Sequence, residues 1–267
     1  MLDQYAVMGN PIAHSKSPII HTVFAEETGQ SLTYTAIQVE PDRFPEAVDA
    51  FFTSGGKGLN VTVPFKTEAY ALATLRSVRA TRAGAVNTLH LRKNGLFGDN
   101  TDGIGLLRDL TQNIGISLQG IRVLVLGAGG AARGILQPIL EQKPNFVLIA
   151  NRTPARAHQL ASIFSDLGKI RGSGLDTLAG ERFDLILNAT RASLEGGTLS
   201  LPDGLLEKGG GGYDLMYGKN TPFLSWAKEQ GAGWVSDGLG MLVEQAAEAF
   251  FIWRGVRPST APLLKRI

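Results

Sequence analysis

The chain contains no cysteine, which removes disulfides, thiolate nucleophiles and cysteine-based zinc sites in one step. No apolar stretch approaches the roughly 18 residues of a membrane span. No block of Lys and Arg stands out, and the formal net charge is only +2. That slight basicity suits small anionic ligands better than nucleic acid. The four histidines, His14, His21, His90 and His158, show no metal-ligand spacing and are expected to be structural or surface groups, so no metal is expected. The opening residues carry no basic segment followed by an apolar one, so secretion is not indicated. A cytoplasmic protein is the expectation, with neither membrane nor nucleic acid as partner.

Against these absences stand 267 residues, 43% of them hydrophobic and 33 of them glycine. That length can bury a sizeable core in one large or two medium domains. In the first segment, Tyr5–Met8, Leu32–Val39, Gly58–Thr62 and Val86–Arg92 read as strands. They alternate with helical patterns over Pro18–Thr28, Phe44–Thr53 and Lys66–Ala80. Such alternation predicts an α/β layer. After Asp102 comes a helix over Gly103–Gly115, then Arg122-Val-Leu-Val-Leu126, a continuous apolar strand of the kind buried on both faces of a parallel sheet. Helices over Ala131–Gln142 and Ala155–Leu167 and strands over Phe146–Ala150, Leu185–Asn188 and Tyr213–Met216 follow, with Gly209–Gly212 read as a flexible run. A long apolar helix, Leu242–Trp253, closes the pattern. The expected division is an α/β substrate domain over residues 1–103, completed by helices in 238–267, and a nucleotide domain over 104–237.

Gly127-Ala128-Gly129-Gly130-Ala131-Ala132 directly follows the buried strand and opens a helix. The first glycine permits a tight turn, the second lets backbone approach a pyrophosphate, and a small residue at 132 allows close helix–strand packing. The helix N-terminus adds free N–H groups and partial positive charge. These features predict a Rossmann-type doubly wound domain. The next strand ends in Asn151-Arg152-Thr153, with Arg156 beyond and no acid between Phe146 and Arg156. An NAD site expects an acid here for the ribose 2′-hydroxyl, whereas arginine accommodates the 2′-phosphate of NADP. NADP is therefore the expected cofactor.

Four stretches place small polar groups at strand ends, where ligands of open α/β sheets bind. They are Gly9-Asn-Pro-Ile-Ala-His-Ser15-Lys-Ser17-Pro18, Asn60-Val-Thr62-Val-Pro-Phe-Lys66, Gly84-Ala-Val-Asn87-Thr88 and Gly98-Asp-Asn-Thr-Asp102-Gly103. With the glycine loop, Asn151-Arg-Thr and Asp237-Gly-Leu-Gly-Met241 in the same order, the sequence resembles the shikimate dehydrogenase family from Gly9 to Trp253. The resemblance implies NADPH-dependent, reversible reduction of 3-dehydroshikimate to shikimate, in a monomer or homodimer. It implies that Ser15 and Ser17 hold the substrate carboxylate, that Thr62, Asn87, Tyr217 and Gln245 surround the ring, and that Lys66 and Asp102 flank the reacting hydroxyl. It adds Asn188, Thr190, Leu215, Gly238 and Met241 to the cofactor contacts. An ordinary lysine has a pKa of about 10.4; burial lowers such a value and a neighbouring carboxylate raises it. Lys66 and Asp102 are therefore read as one coupled acid–base unit.

Two positions depart from the family pattern. Val78 stands before Arg79 where an acid is common, on the side toward the cofactor, and Arg191 follows Asn188-Ala-Thr190 where a serine is common. A long cation at 191 would contact a phosphate, pair with a carboxylate or obstruct the nicotinamide pocket. The alternatives are a paralogue of low activity or one with a related substrate such as quinate, whose extra hydroxyl would crowd Ser15 and Ser17. A non-catalytic NADP-binding protein would not need both Lys66 and Asp102, and a Rossmann methyltransferase would not need the basic strand end.

Overall fold

The computed structural model describes residues 2–190, 200–218 and 221–267. Two compact units emerge, Met1–Gly105 with Leu242–Ile267, and Leu106–Met241. Each contains a six-stranded sheet.

The first unit opens with β1 (Asp3–Gly9), α1 (Ser17–Thr28), β2 (Leu32–Gln38), α2 (Phe44–Thr53) and β3 (Gly58–Val61). It continues with α3 (Lys66–Leu72), β4 (Leu75–Arg76), α4 (Val78–Ala83), β5 (Thr88–Arg92) and β6 (Gly95–Asp99). The strand order is β2-β1-β3-β5-β6-β4. β2, β1 and β3 run parallel, while β5 is antiparallel to both β3 and β6. One face buries Met8, Val48, Leu59, Val61 and Phe65 with α2 and α3, and the Phe44 and Phe65 rings stack at 4.6 Å. Ile20 and Phe24 of α1 meet Val243, Ala246, Ala247 and Phe250 in a separate cluster.

The helical period over residues 66–80 does not run through. The chain turns extended at Ala73 so that β4 pairs with β6. Ser77 then restarts a helix as an N-cap, its Oγ accepting the Ala80 N–H at 3.1 Å. Short polar side chains satisfy the orphan donors of a first turn in this way. Two helices meet where one was expected, and their junction carries the strand that edges the sheet.

α5 (Asp102–Arg108) runs on into a π-helical stretch, Asp109–Ile114. The second sheet follows: β7 (Arg122–Leu126), α6 (Gly130–Glu141), β8 (Phe146–Ala150), α7 (Pro154–Ile163), β9 (Ile170–Ser173) and β10 (Phe183–Asn188). β11 (Leu206–Asp214), α8 (Pro222–Glu229) and β12 (Trp234–Ser236) complete it. Its order is β12-β11-β10-β7-β8-β9, with every described pairing parallel. This is the doubly wound arrangement, with its switch point between β7 and β10. α9 (Leu239–Arg254) begins in this unit and ends in the first, and α10 (Ala261–Leu264) follows.

The run Gly209–Gly212 is strand, not a flexible segment. A Cβ on Gly211 would fall 1.9 Å from the Trp234 ring, and one on Gly212 would fall 2.8 Å from the Ala227 methyl. The glycines are the space into which β12 and α8 pack.

Candidate active site

β3 ends at Val61, and the chain turns through Thr62 to Phe65, whose N–H donates to the Thr62 carbonyl. Phe65 is buried, so Lys66 leaves this anchored turn as the first residue of α3. Its Nζ lies 2.5 Å from Asp102 Oδ2, with the two side chains 13% and 5% exposed. Asp102 starts α5, its N–H donating to Asn100 Oδ1 at 3.1 Å. Asn87 Nδ2 lies 2.8 Å from Asp102 Oδ1, 2.9 Å from Thr101 Oγ1 and 3.2 Å from Gln245 Oε1. One amide group thus faces more acceptors than it has hydrogens. The Asn87 side-chain oxygen, Oδ1, accepts from the Thr101 N–H at 2.8 Å and the Thr88 hydroxyl at 2.9 Å. Lys66 and Asp102, expected as one acid–base unit, and Asn87 and Gln245, expected as ring contacts, lie in a single hydrogen-bonded cluster.

Ser15 Oγ accepts the Ser17 N–H at 3.3 Å, placing both serines at the start of α1. Ser17, nearly buried, hydrogen-bonds the Tyr34 hydroxyl. That hydroxyl donates to Asn60 Oδ1 at 2.7 Å, and Asn60 Nδ2 donates to the Asn87 carbonyl at 3.2 Å. A line of polar groups therefore links Ser17 to Asn87. His21 stacks on Tyr34 at 4.1 Å, and complete burial lowers its pKa to about 3, against a small opposing pull from Asn60. Thr62, half-buried at the β3 end, presses its methyl toward Gly9, where a Cβ would fall 2.5 Å away.

Beneath Asp102 lies a second layer. Arg79 bonds both oxygens of Asp99, at 2.7 and 2.9 Å, and reaches Glu248 at 3.3 Å. Burial would lower the Arg79 guanidinium pKa, but Asp99 and then Glu248 carry it above its ordinary value. Asp99 Oδ1 also accepts from Ser77 and from the Asn100 N–H, so this clamp fixes the strand end from which Asp102 departs. Thr101, Asn100, Asn60 and Asp99 lay in the quoted motifs without an assigned part. Their role is invisible in the motif because it consists of bonds to other motifs.

In the second unit, Gly127 has φ +102° and a Cβ there would press within 3.2 Å of the Ala189 carbonyl. α6 opens at Gly130, and Ala132 is buried against the sheet, which leaves Ala128, Gly129 and Ala131 at the helix mouth. β8 delivers Asn151, whose Nδ2 donates to the Thr153 carbonyl at 2.9 Å, while Arg152 and Arg156 are exposed. Asn188, at the end of β10, accepts from the Thr190 N–H and hydroxyl through Oδ1. Leu215 donates its N–H to the Asn188 carbonyl, and Gly238 donates to the Met216 carbonyl at 3.0 Å. Asp237 accepts from Gly218 and Leu239 N–H groups, tying the stretch that carries Tyr217 to the start of α9. A glycine turn at positive φ, a helix mouth with no side-chain cap from Gly129 and two exposed guanidiniums fit a dinucleotide bearing a 2′-phosphate. Tyr217 belongs to this unit, whereas the other substrate candidates belong to the first. Val78 is 79% exposed at the start of α4, and Arg191 lies outside the described residues.

A doubly wound dinucleotide-type sheet in one unit and a buried Lys–Asp pair in a polar α/β unit together define the class, a nicotinamide nucleotide-dependent dehydrogenase fold. Residues 7–89 match the shikimate dehydrogenase substrate binding domain, 109–195 the shikimate / quinate 5-dehydrogenase model, and 238–267 the shikimate 5′-dehydrogenase C-terminal domain. The chain is 57% identical to the shikimate dehydrogenase (NADP(+)) of Methylococcus capsulatus, over 99% of this chain and 96% of that one. An Ael1 enzyme from Pseudomonas putida superposes with a TM-score of 0.89 at 47% identity, over 99% of this chain and 97% of that one. Shikimate 5-dehydrogenase from Thermus thermophilus, solved with NADP(H) and shikimate, gives 0.86 at 36% identity, over 99% and 98%. The chain belongs to the shikimate dehydrogenase family.

Proposed function

We propose that this protein interconverts 3-dehydroshikimate and shikimate with NADP, its first unit holding the substrate and its second the cofactor, as a cytoplasmic monomer or homodimer. The relatives' names and the bound shikimate and NADP(H) of the Thermus structure support the reaction class. The observation that carries the chemistry is the Lys66–Asp102 contact of 2.5 Å within the Asn87–Thr101–Gln245 cluster.

When bound, NADP supplies the hydride acceptor or donor. The chain's own residues handle orientation and the proton. Ser15 and Ser17 present hydroxyls to the ring carboxylate, and Thr62, Asn87, Tyr217 and Gln245 present neutral donors and acceptors to the ring hydroxyls. Lys66 and Asp102 take the proton of the reacting hydroxyl in oxidation and return it to the carbonyl oxygen in reduction. Their burial excludes water and strengthens the field at that oxygen. Arg152 and Arg156, with Asn151 and Thr153, receive the 2′-phosphate, and the Gly127–Ala131 loop receives the pyrophosphate. Asn188, Thr190, Leu215, Gly238 and Met241 line the nicotinamide end.

The test is the absorbance of reduced nicotinamide formed from shikimate and NADP, run beside quinate and beside NAD. Fast reduction with shikimate and NADP is expected. Turnover confined to quinate, or to NAD, would overturn the assignment of substrate or cofactor respectively.

A further inference from the structure

Asp109 opens the π-helical stretch after α5, and its side chain is buried. Its Oδ2 accepts the Tyr213 hydroxyl at 2.7 Å and its Oδ1 accepts Asn113 Nδ2 at 2.9 Å. Tyr213, on β11, is fully buried, and its oxygen also takes the backbone N–H of Met241. A Cβ on Gly240 would fall 1.9 Å from Asp109 Oδ1 and 2.4 Å from Oδ2. The carboxylate thus sits directly on the α-carbon of Gly240, in the first turn of α9. Burial, and then Asp109, raise the Tyr213 pKa well above that of an ordinary phenol. The hydroxyl therefore stays protonated, donating to Asp109 while accepting from Met241.

Tyr213, to which Asp109 is bonded, and Met241 belong to an apolar cluster with Leu106, Leu110, Val125 and Ile135. Burying a carboxylate there is costly unless hydrogen bonds compensate it, and an apolar pair of similar volume would fill the space without that cost. What the polar pair adds is direction, since it orients one backbone N–H and one glycine. Both lie in the stretch Gly238–Met241, which is pinned from its other side by the Met216 carbonyl and by Asp237. π-helical turns inside helices are frequent at functional sites, and here the first residue of the π-helical stretch is Asp109.

We propose that Tyr213 and Asp109 are positioning residues for the cofactor, holding the first turn of α9 so that Gly238 and Met241 face the nicotinamide. The inference rests on the reading above that these two residues line that end of the cofactor. Both are buried, and the role assigned to them is exerted through that turn.

The experiment uses the full chain with Tyr213→Phe, Asp109→Leu, Asp109→Asn and Gly240→Ala. It reads KM for NADP, KM for shikimate, and the dissociation constant of NADPH by fluorescence titration. Tyr213→Phe and Asp109→Leu are expected to raise the NADP KM and NADPH dissociation constant about tenfold, the scale of one lost polar contact, with the shikimate KM within about twofold. Asp109→Asn, whose amide oxygen still accepts from Tyr213, is expected to retain most of the affinity. Should Tyr213→Phe not fold, Asp109→Asn and Gly240→Ala carry the test, the latter raising the NADP KM by forcing the carboxylate off the turn. Unchanged cofactor constants in Tyr213→Phe, or equal losses for both ligands without rescue by Asp109→Asn, would overturn the inference. A wild-type protein that does not bind NADPH fails the functional reading itself, before any variant is compared.

Discussion

The two candidate sites are built on opposite principles. In the first unit, Asn87, Asp102 and Gln245 are buried, Lys66 is largely withdrawn from water, and the four are joined by hydrogen bonds. In the second, the groups proposed to meet the cofactor are a glycine turn, a helix mouth and two exposed guanidiniums. Buried side chains aimed in advance suit a reacting centre, where charge develops and reorganisation would raise the barrier. Backbone and solvated cations suit a recognition site, which needs affinity and exchange. The first arrangement couples activity to stability, and the second leaves them separable.

The sharpest way to break that contrast is Lys66→Met. The loss of a positioned proton donor and acceptor typically costs 10²–10⁴-fold in rate, so kcat is expected to fall by about that factor. Removing one partner also leaves the Asp102 carboxylate buried, at about 3–5 kcal/mol by the behaviour of such pairs. Steady-state kinetics and urea denaturation on the same preparation check both. A variant as stable as wild type would show that the pair is less desolvated than its 13% and 5% exposures indicate.

Arg152→Ala probes the other side. The expected outcome is a rise of about tenfold in the NADP KM, steeper at low ionic strength because exposed charges are screened within about 10 Å at 0.1 M salt. The kcat for shikimate and the denaturation midpoint should hold. A loss of stability here would make the guanidinium structural and erase the distinction between the two sites.

The unevenness of what could be read from the sequence has the same physical origin. β7 and α2 fall on the expected residues, Arg122–Leu126 and Phe44–Thr53, because their own side-chain pattern states the burial. The glycines of β11 misled because their packing partners, Trp234 and Ala227, lie far off in sequence. The helix expected through Ala80 breaks at Ala73 because β6 offers an edge to Leu75 and Arg76, a tertiary pull that local periodicity does not contain. Thr101 and Asp109 show the same limit within the sites. Each is an ordinary residue type whose importance lies in the atoms facing it. Lys66 and Asp102 could be picked out only through family motifs, since 36 residues separate them.

His21 supplies a finer test of how far burial governs the first unit. Its Nε2 has no hydrogen-bond partner among the described residues, and burial holds its folded pKa at about 3, below an unfolded value of about 6.5. Between those values the unfolded chain binds the extra proton, so stability is full above about pH 6.5 and declines toward pH 3 by up to about 1.4 kcal/mol per pH unit. Replacing His21 with Phe, which keeps the stack on Tyr34 without a titrating nitrogen, should flatten urea midpoints across this range. An unaltered slope would mean that carboxylates alone set the acid limit.

The smallest effect is expected at Val78, where the chain departs from its family. The side chain stands 79% exposed at the first position of α4, so a carboxylate there would meet water and the positive end of a short helix rather than the buried cluster. Val78→Glu should stabilise the protein by about 0.3–1 kcal/mol and leave kcat unchanged. Arg79, the next residue, already has Asp99 and Glu248 as partners, and a new acid would have to compete with two buried ones for its guanidinium. If turnover nonetheless rose, the exposed rim would be feeding the Asp99 clamp, and the first unit would owe part of its catalytic geometry to a solvated charge.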